Sequence, residues 1–133
     1  MVSRSRFIVS SFFWTLFLLI SVNGFAEAEE SPLWIRHAAI SPDGKQIAFS
    51  YQGDVFLVKT QGGLARALTQ NDAWDGHPVW SRDGKHLAFA SDRHGNLDIF
   101  LMPAEGGPAR RLTYHSSDDI PADFAASHDT ILF

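Results

Sequence analysis

Six histidines and eleven aspartates are the side chains with which this 133-residue sequence could do chemistry. A zinc site needs His-x3-His or His-Glu-x-x-His spacing and a completing ligand, and His77, His86, His94 and His115 are not placed that way. They read as turn or solvent-facing histidines. Asp92, Asn96 and Asp98 offer oxygens at spacings close to those of a calcium loop, but the terminal Glu of such a loop is missing, so a polar hairpin loop is the simpler reading. No serine sits in Gly-x-Ser-x-Gly, and Ser41 and Ser81 stand where turn geometry fixes a hydroxyl against backbone. Gly62-Gly63 and Gly106-Gly107 lack the context of phosphate loops and each precedes a strand. Arg110-Arg111 is too short for an anion patch and reads as a solvated strand face. Cysteine is absent, which removes a thiol nucleophile, a Cys-based zinc site and a disulfide framework together. The formal charge of −4 and the lack of a basic run exclude a nucleic-acid footprint. The residues therefore assign no catalytic group, no metal ligand and no cofactor, and leave substrate-binding residues unnamed.

The elements that would position any site are set by a repeat. Ser41-Pro42-Asp43-Gly44-Lys45 recurs forty residues on as Ser81-Arg82-Asp83-Gly84-Lys85. Each copy follows a large apolar residue, Ile40 or Trp80, and leads into an apolar alternation, Ile47-Ala48-Phe49 or Leu87-Ala88-Phe89. Pro pre-sets φ at the second place, Asp bonds nearby backbone, and Gly accepts the positive φ that ends the turn, so each copy joins two antiparallel strands. In the first pass the expected strands are 33–40, 46–50, 55–58 and 65–69. In the second they are 78–80, 86–90, 97–102 and 109–113. Matching Gly62-Gly63 with Gly106-Gly107 raises the offset from 40 to 44, and the four extra residues fall in the loop at Asp92 to Asn96. Loops accept insertions cheaply, so this drift marks a structural repeat.

A third pass opens at Phe124, forty-four residues after Trp80, but Ala125-Ala126-Ser127-His128-Asp129 has replaced the turn and the chain stops at Phe133. Four short strands per unit of about 44 residues are the content of a propeller blade. No helical apolar period appears beyond the N-terminal segment, so the expected fold is all-β. It is an incomplete β-propeller of about two and a half four-stranded antiparallel blades, preceded by a helical signal peptide. Blade one is expected at about 33–70, blade two at about 71–114, and a partial, degenerate blade three at about 115–133. Phe49, Phe56, Trp80, Phe89 and Ile99 are the expected blade-packing residues. Closed propellers have about 4–8 blades, so this segment alone should leave apolar faces and strand edges uncovered.

Arg4 and Arg6 precede an apolar stretch from Phe7 to Val22, and Gly24-Phe25-Ala26 and Ala26-Glu27-Ala28 follow as small-residue cleavage triplets. Sixteen residues including Ser10, Ser11, Thr15 and Ser21 fall short of the roughly 20 apolar residues of a spanning helix, so residues 1–28 read as a secretory signal. Cleavage is placed after Ala28, with Ala26 the alternative. It removes two of 11 basic and one of 15 acidic residues, leaving a net charge of −5. The membrane is then met only through this segment before cleavage. Export without cysteines fits a bacterial periplasm.

Ser41-Pro42-Asp43-Gly44-Lys45-Gln46-Ile47-Ala48-Phe49 resembles the signature of TolB-like propeller repeats, relatives of the WD-type blade. The second unit matches more closely, from Pro78-Val79-Trp80-Ser81 through Ala90-Ser91-Asp92-Arg93-His94-Gly95-Asn96 to Arg111-Leu112-Thr113. It departs from the pattern at Arg82, where Pro is usual, and across Ala125 to Asp129. Three features resemble the start of the secreted tricorn-type serine peptidases. They are the early Leu33-Trp34-Ile35-Arg36, the segment Asp92 to Asp98, and Leu112-Thr113-Tyr114-His115-Ser116-Ser117-Asp118-Asp119-Ile120-Pro121. The resemblance implies the N-terminal propeller segment of an exported peptidase, gating or binding oligopeptide substrate. Further blades, a PDZ domain and the catalytic Ser and His would lie downstream, so no catalytic residue carries over. Two other readings remain open: a non-enzymatic TolB-like periplasmic propeller that binds proteins, or the propeller of an amidohydrolase or prolyl-oligopeptidase-like hydrolase.

Overall fold

The computed structural model describes residues 34–126 and 130–133, so the expected signal peptide and its cleavage site lie outside the described residues. The described chain is all-β, without a helix. Strands β1 (Arg36–Ile40), β2 (Gln46–Tyr51), β3 (Asp54–Lys59) and β4 (Arg66–Ala67) form one four-stranded antiparallel sheet in sequence order. Strands β5 (Asp75–Trp80), β6 (His86–Ser91), β7 (Asp98–Pro103) and β8 (Arg110–Arg111) form a second with the same order. Strands β9 (Asp123–Phe124) and β10 (Ile131–Leu132) begin a third. Strand β5 packs against β1, β2 and β3, and β9 against β5, so β1, β5 and β9 are the strands that meet from sheet to sheet.

The two Ser-x-Asp-Gly turns are built alike. Ser41 Oγ donates to Asp43 Oδ1 at 2.7 Å and accepts the Gln46 N–H at 2.9 Å. Ser81 Oγ does the same with Asp83 Oδ1 and the His86 N–H, at 2.7 and 2.9 Å. Gly44 and Gly84 end the turns at φ 72° and 71°, a conformation that costs other residues a Cβ clash. The serine hydroxyl, and then the Lys45 or Lys85 amide, hold the Asp43 and Asp83 carboxyls below the usual carboxylate range. Both serines are fully used in closing the turn.

The outer strands are shorter than the sequence predicts, two residues each in β4 and β8. Beyond them a threonine takes over the pairing: Thr69 Oγ1 accepts the Val55 N–H and Thr113 Oγ1 the Ile99 N–H, both at 2.9 Å. Strand β5 is longer than expected, starting at Asp75, because a bulge between Gly76 and Val79 lets pairing resume on its far side. Strand β1 carries the same bulge between Arg36 and Ala39.

Apolar packing lies between the sheets. Ala48, Val55 and Leu57 of the first meet Trp80, Leu87, Phe89, Phe100 and Met102 of the second. Ala88 and Ile99 on the opposite face of the second sheet meet Phe124 and Ile131 of the third. Phe49, Trp80, Phe89 and Ile99 are buried as expected, while Phe56 is half-buried. The Trp80 indole N–H reaches across to the Ala39 carbonyl at 3.0 Å, tying β5 to β1. Phe124 replaces that tryptophan and has no N–H to give. Arg82, the residue standing where the repeat usually has Pro, supplies the tie from the other side. Its guanidinium donates to the Phe124 carbonyl at 3.1–3.2 Å and pairs with Asp123 at 2.9 Å.

The third unit keeps the repeat register despite its altered turn. Phe124 pairs with Ile131 and Asp123 with Leu132, forty-four residues after Trp80 with Leu87 and Val79 with Ala88. The bond Ala125 N–H to Thr130 carbonyl, 2.8 Å, likewise repeats Ser81 N–H to His86 carbonyl, 2.9 Å.

Candidate functional site

The two bulges place His37 and His77 against each other. Their rings stack with centroids 3.5 Å apart at 27°, and Trp74 packs edge-on to both, at 6.4 and 5.8 Å. His37 and His77 have φ 51° and 52°, which non-glycine residues seldom adopt. The other two described non-glycine residues at positive φ are Trp34 (83°) and Gln52 (51°), and both line the crevice beside His37. All four strained residues therefore gather at one place, the pattern expected where structure is held for a task rather than for stability.

That crevice has a volume of about 240 Å³ and is lined by Trp34, Arg36 and His37 from β1 and its lead, by Ser50 to Gly53 at the β2–β3 turn, and by Trp74. Arg36 lies 5.7 Å from the Trp34 ring centroid and has no carboxylate partner among the described residues. Ser50 is buried and its hydroxyl has no hydrogen-bond partner among the described residues. Burial lowers the pKa of both imidazoles from 6.5; Arg36 adds to the effect on His37, and His37 to that on His77. Both rings are thus neutral at pH 7, each with one N–H donor and one acceptor nitrogen. Aromatic walls, a cation and unspent donors suit binding; the crevice holds no nucleophile–base pair.

A group whose folded-state pKa is lowered leaves the unfolded chain holding more protons, so stability rises with pH in that window. The β1–β5 junction is therefore expected to be firmest above about pH 6.5 and to loosen as pH falls through the lowered values. Hydrogen exchange of the β1 and β5 amides between pH 5 and 8 checks this, and a double His37→Ala, His77→Ala variant should lose the dependence.

The other described histidines lie apart from this cluster. His86 is exposed at the start of β6, His94 stacks on Phe100 at 6.0 Å, and the His115 carbonyl accepts from Asn96. The oxygen-rich loop is divided among separate partners. Asp92 accepts the Trp74 N–H, Asn96 donates to the His115 and Ser117 carbonyls, and buried Asp98 pairs with Arg111. Arg111 is thus half-turned into the sheet, in place of the solvated face expected for Arg110-Arg111. His77, expected as a turn or solvent-facing histidine, is instead half-buried within β5 and stacked on His37, which the sequence pattern did not mark. Its available signal was the repeat itself: Trp34-Ile35-Arg36-His37 and Trp74-Asp75-Gly76-His77 are forty residues apart and share Trp and His.

Comparison with known proteins agrees with this architecture. The chain is 38% identical over 76 residues to Tricorn protease homolog 1 of Streptomyces coelicolor, covering 57% of this chain and 7% of that protein. It is 35% identical over 92 residues to the uncharacterized peptidase YuxL of Bacillus subtilis, covering 61% and 13%. The chain thus spans only a small part of these relatives. Among solved structures it is similar to TolB from Acinetobacter baumannii, with TM-score 0.62, 26% identity and coverage of 72% of this chain and 25% of that one. A putative TolB from Agrobacterium tumefaciens has TM-score 0.57 at 24% identity, over 62% of this chain and 31% of that one, and shares the fold. The family described as tricorn protease N-terminal beta propeller domain matches residues 32–133, and the chain belongs to that family.

Proposed function

We propose that this chain is the N-terminal propeller segment of an exported tricorn-like peptidase and that it binds and gates oligopeptide substrate without performing catalysis. The observation that carries this reading is the crevice at the β1 bulge, where two indole rings, the His37 imidazole stacked on His77, and an unpaired arginine meet at strained backbone. An extended peptide offers apolar side chains for such rings and carbonyl and amide groups for such donors. Further blades, a PDZ domain and the serine peptidase core belong to the continuing polypeptide in this reading, in keeping with the small fraction of each tricorn homologue that the chain spans. Residues 1–28 direct the protein to the periplasm. The structural likeness to TolB supports a second reading, a periplasmic propeller that binds folded proteins rather than peptides.

Binding of a fluorescently labelled oligopeptide library to the intact polypeptide, followed by anisotropy, tests the first reading. Saturable binding that weakens in Trp34→Ala supports it. Absence of peptide binding, with capture of a folded periplasmic protein instead, turns the assignment to the second.

A further inference from the structure

The repeat supplies an internal control for the crevice. Arg36 pairs with Ser50 in the first sheet, and Gly76 pairs with Ala90 at the same place in the second. At Gly76 the protein fills the space itself: the Trp74 ring lies so close that a Cβ there would stand 2.3 Å from its Cη2. In the first sheet Arg36 occupies the corresponding position, and Trp34, the counterpart of Trp74, is 74% exposed. The same fold thus leaves one copy closed and the other open.

The open copy also carries polar groups that its closed counterpart lacks. Ala90 shows that the sheet does not need a hydroxyl at the Ser50 position, yet Ser50 lines the crevice, with its Oγ buried and unpartnered among the described residues. A buried hydroxyl without a partner is destabilising, and a ligand oxygen that accepts from it removes that penalty. Arg36, its cross-strand partner, offers a planar set of donors and a full positive charge in a chain of net charge −4.

We infer that this crevice is a subsite for an acidic side chain of a bound peptide, with Arg36 pairing its carboxylate and Ser50, after a χ1 rotation that brings its buried Oγ–H to the crevice, donating to it. The inference rests on the peptide-binding reading above. A carboxylate satisfies both groups at once, the guanidinium by a charge-assisted pair and the hydroxyl by a hydrogen bond. Indoles from both sheets line the crevice, so residues before and after the acidic one have apolar surface to lie on. That places an internal Asp or Glu in the subsite rather than a chain end.

The test is binding of two labelled peptides to the intact polypeptide, identical except for one internal Glu or Gln, both with amidated C-termini. The Glu peptide should bind about tenfold more tightly, as a charge-assisted contact predicts, and the difference should shrink as salt is raised. Arg36→Gln should abolish the preference for the Glu peptide over the Gln peptide. Ser50→Ala, which Ala90 shows the sheet accommodates, should reduce it. Equal binding of both peptides, or a Glu preference that survives Arg36→Gln, overturns the inference and leaves peptide binding standing. Binding that appears only with a free C-terminal carboxylate overturns the side-chain assignment. Failure of both peptides to bind removes the inference and the peptide-binding reading together.

Discussion

Phe89→Ala is expected to destabilise the propeller by about 4 kcal/mol, the range found when a fully buried aromatic is cut back to a methyl group. Phe89 has no exposed surface and belongs to the cluster that joins the first two sheets, among Trp80, Leu87, Phe100 and Met102 on its own sheet and Ala48, Val55 and Leu57 on its neighbour. Its ring is stacked 5.9 Å from Phe100, and the Arg93 guanidinium lies over it at 5.7 Å. The loss therefore falls on packing between blades as well as within one. Denaturant midpoints and hydrogen exchange of the intact polypeptide measure it, and protection should fall in both sheets. A loss confined to β6 and β7 would show that the sheets are held together by something other than this cluster.

Arg93→Ala should cost about 3 kcal/mol for a different reason, the stranding of a buried carboxylate. Asp75 has no exposed surface; Arg93 Nη2 donates to both its oxygens, at 3.0 and 3.1 Å, and Asn71 donates to Oδ2 at 2.7 Å. Arg93 Nε also donates to Ser91 Oγ at 2.8 Å, and its guanidinium lies 4.3 Å from the Phe100 centroid. Removing it leaves Asn71 as the remaining side-chain donor to Asp75 and uncovers two aromatic rings. A second change, Asp75→Asn in the Arg93→Ala background, removes the stranded charge and should recover more than half of the loss. A double-mutant cycle on unfolding midpoints separates charge from packing. If the double variant is as unstable as the single, the cost lies in the lost cover over Phe100.

The length of the loop at Asp92 to Asn96 is what allows this ion pair. The first sheet turns between β2 and β3 through Gln52 and Gly53 alone, and Ile35 stands where the second has Asp75. Drift in repeat length thus went with a change in chemistry: the longer loop carries the arginine that a buried aspartate requires.

The sequence by itself determined the strand order, the turns and the packing residues. Each depends on neighbours in the chain: a Ser-x-Asp-Gly turn closes through its own hydroxyl and amides, and alternation of apolar residues chooses a face of the strand. The offset of 44 even carried the register of β9 with β10 through an altered turn, because cross-strand pairing depends on residue count more than on turn residue type. Only the tertiary structure decided where the candidate crevice lies. His37 and His77 are forty residues apart, and nothing local marks either as special; bulges in adjacent sheets bring their rings to 3.5 Å. Two equivalent positions are filled differently: in the second sheet the Trp74 indole rests on Gly76, whereas in the first Arg36 stands at that place and the Trp34 indole is exposed. Whether space is occupied depends on atoms from several strands at once, and that sum is fixed only when the sheets pack.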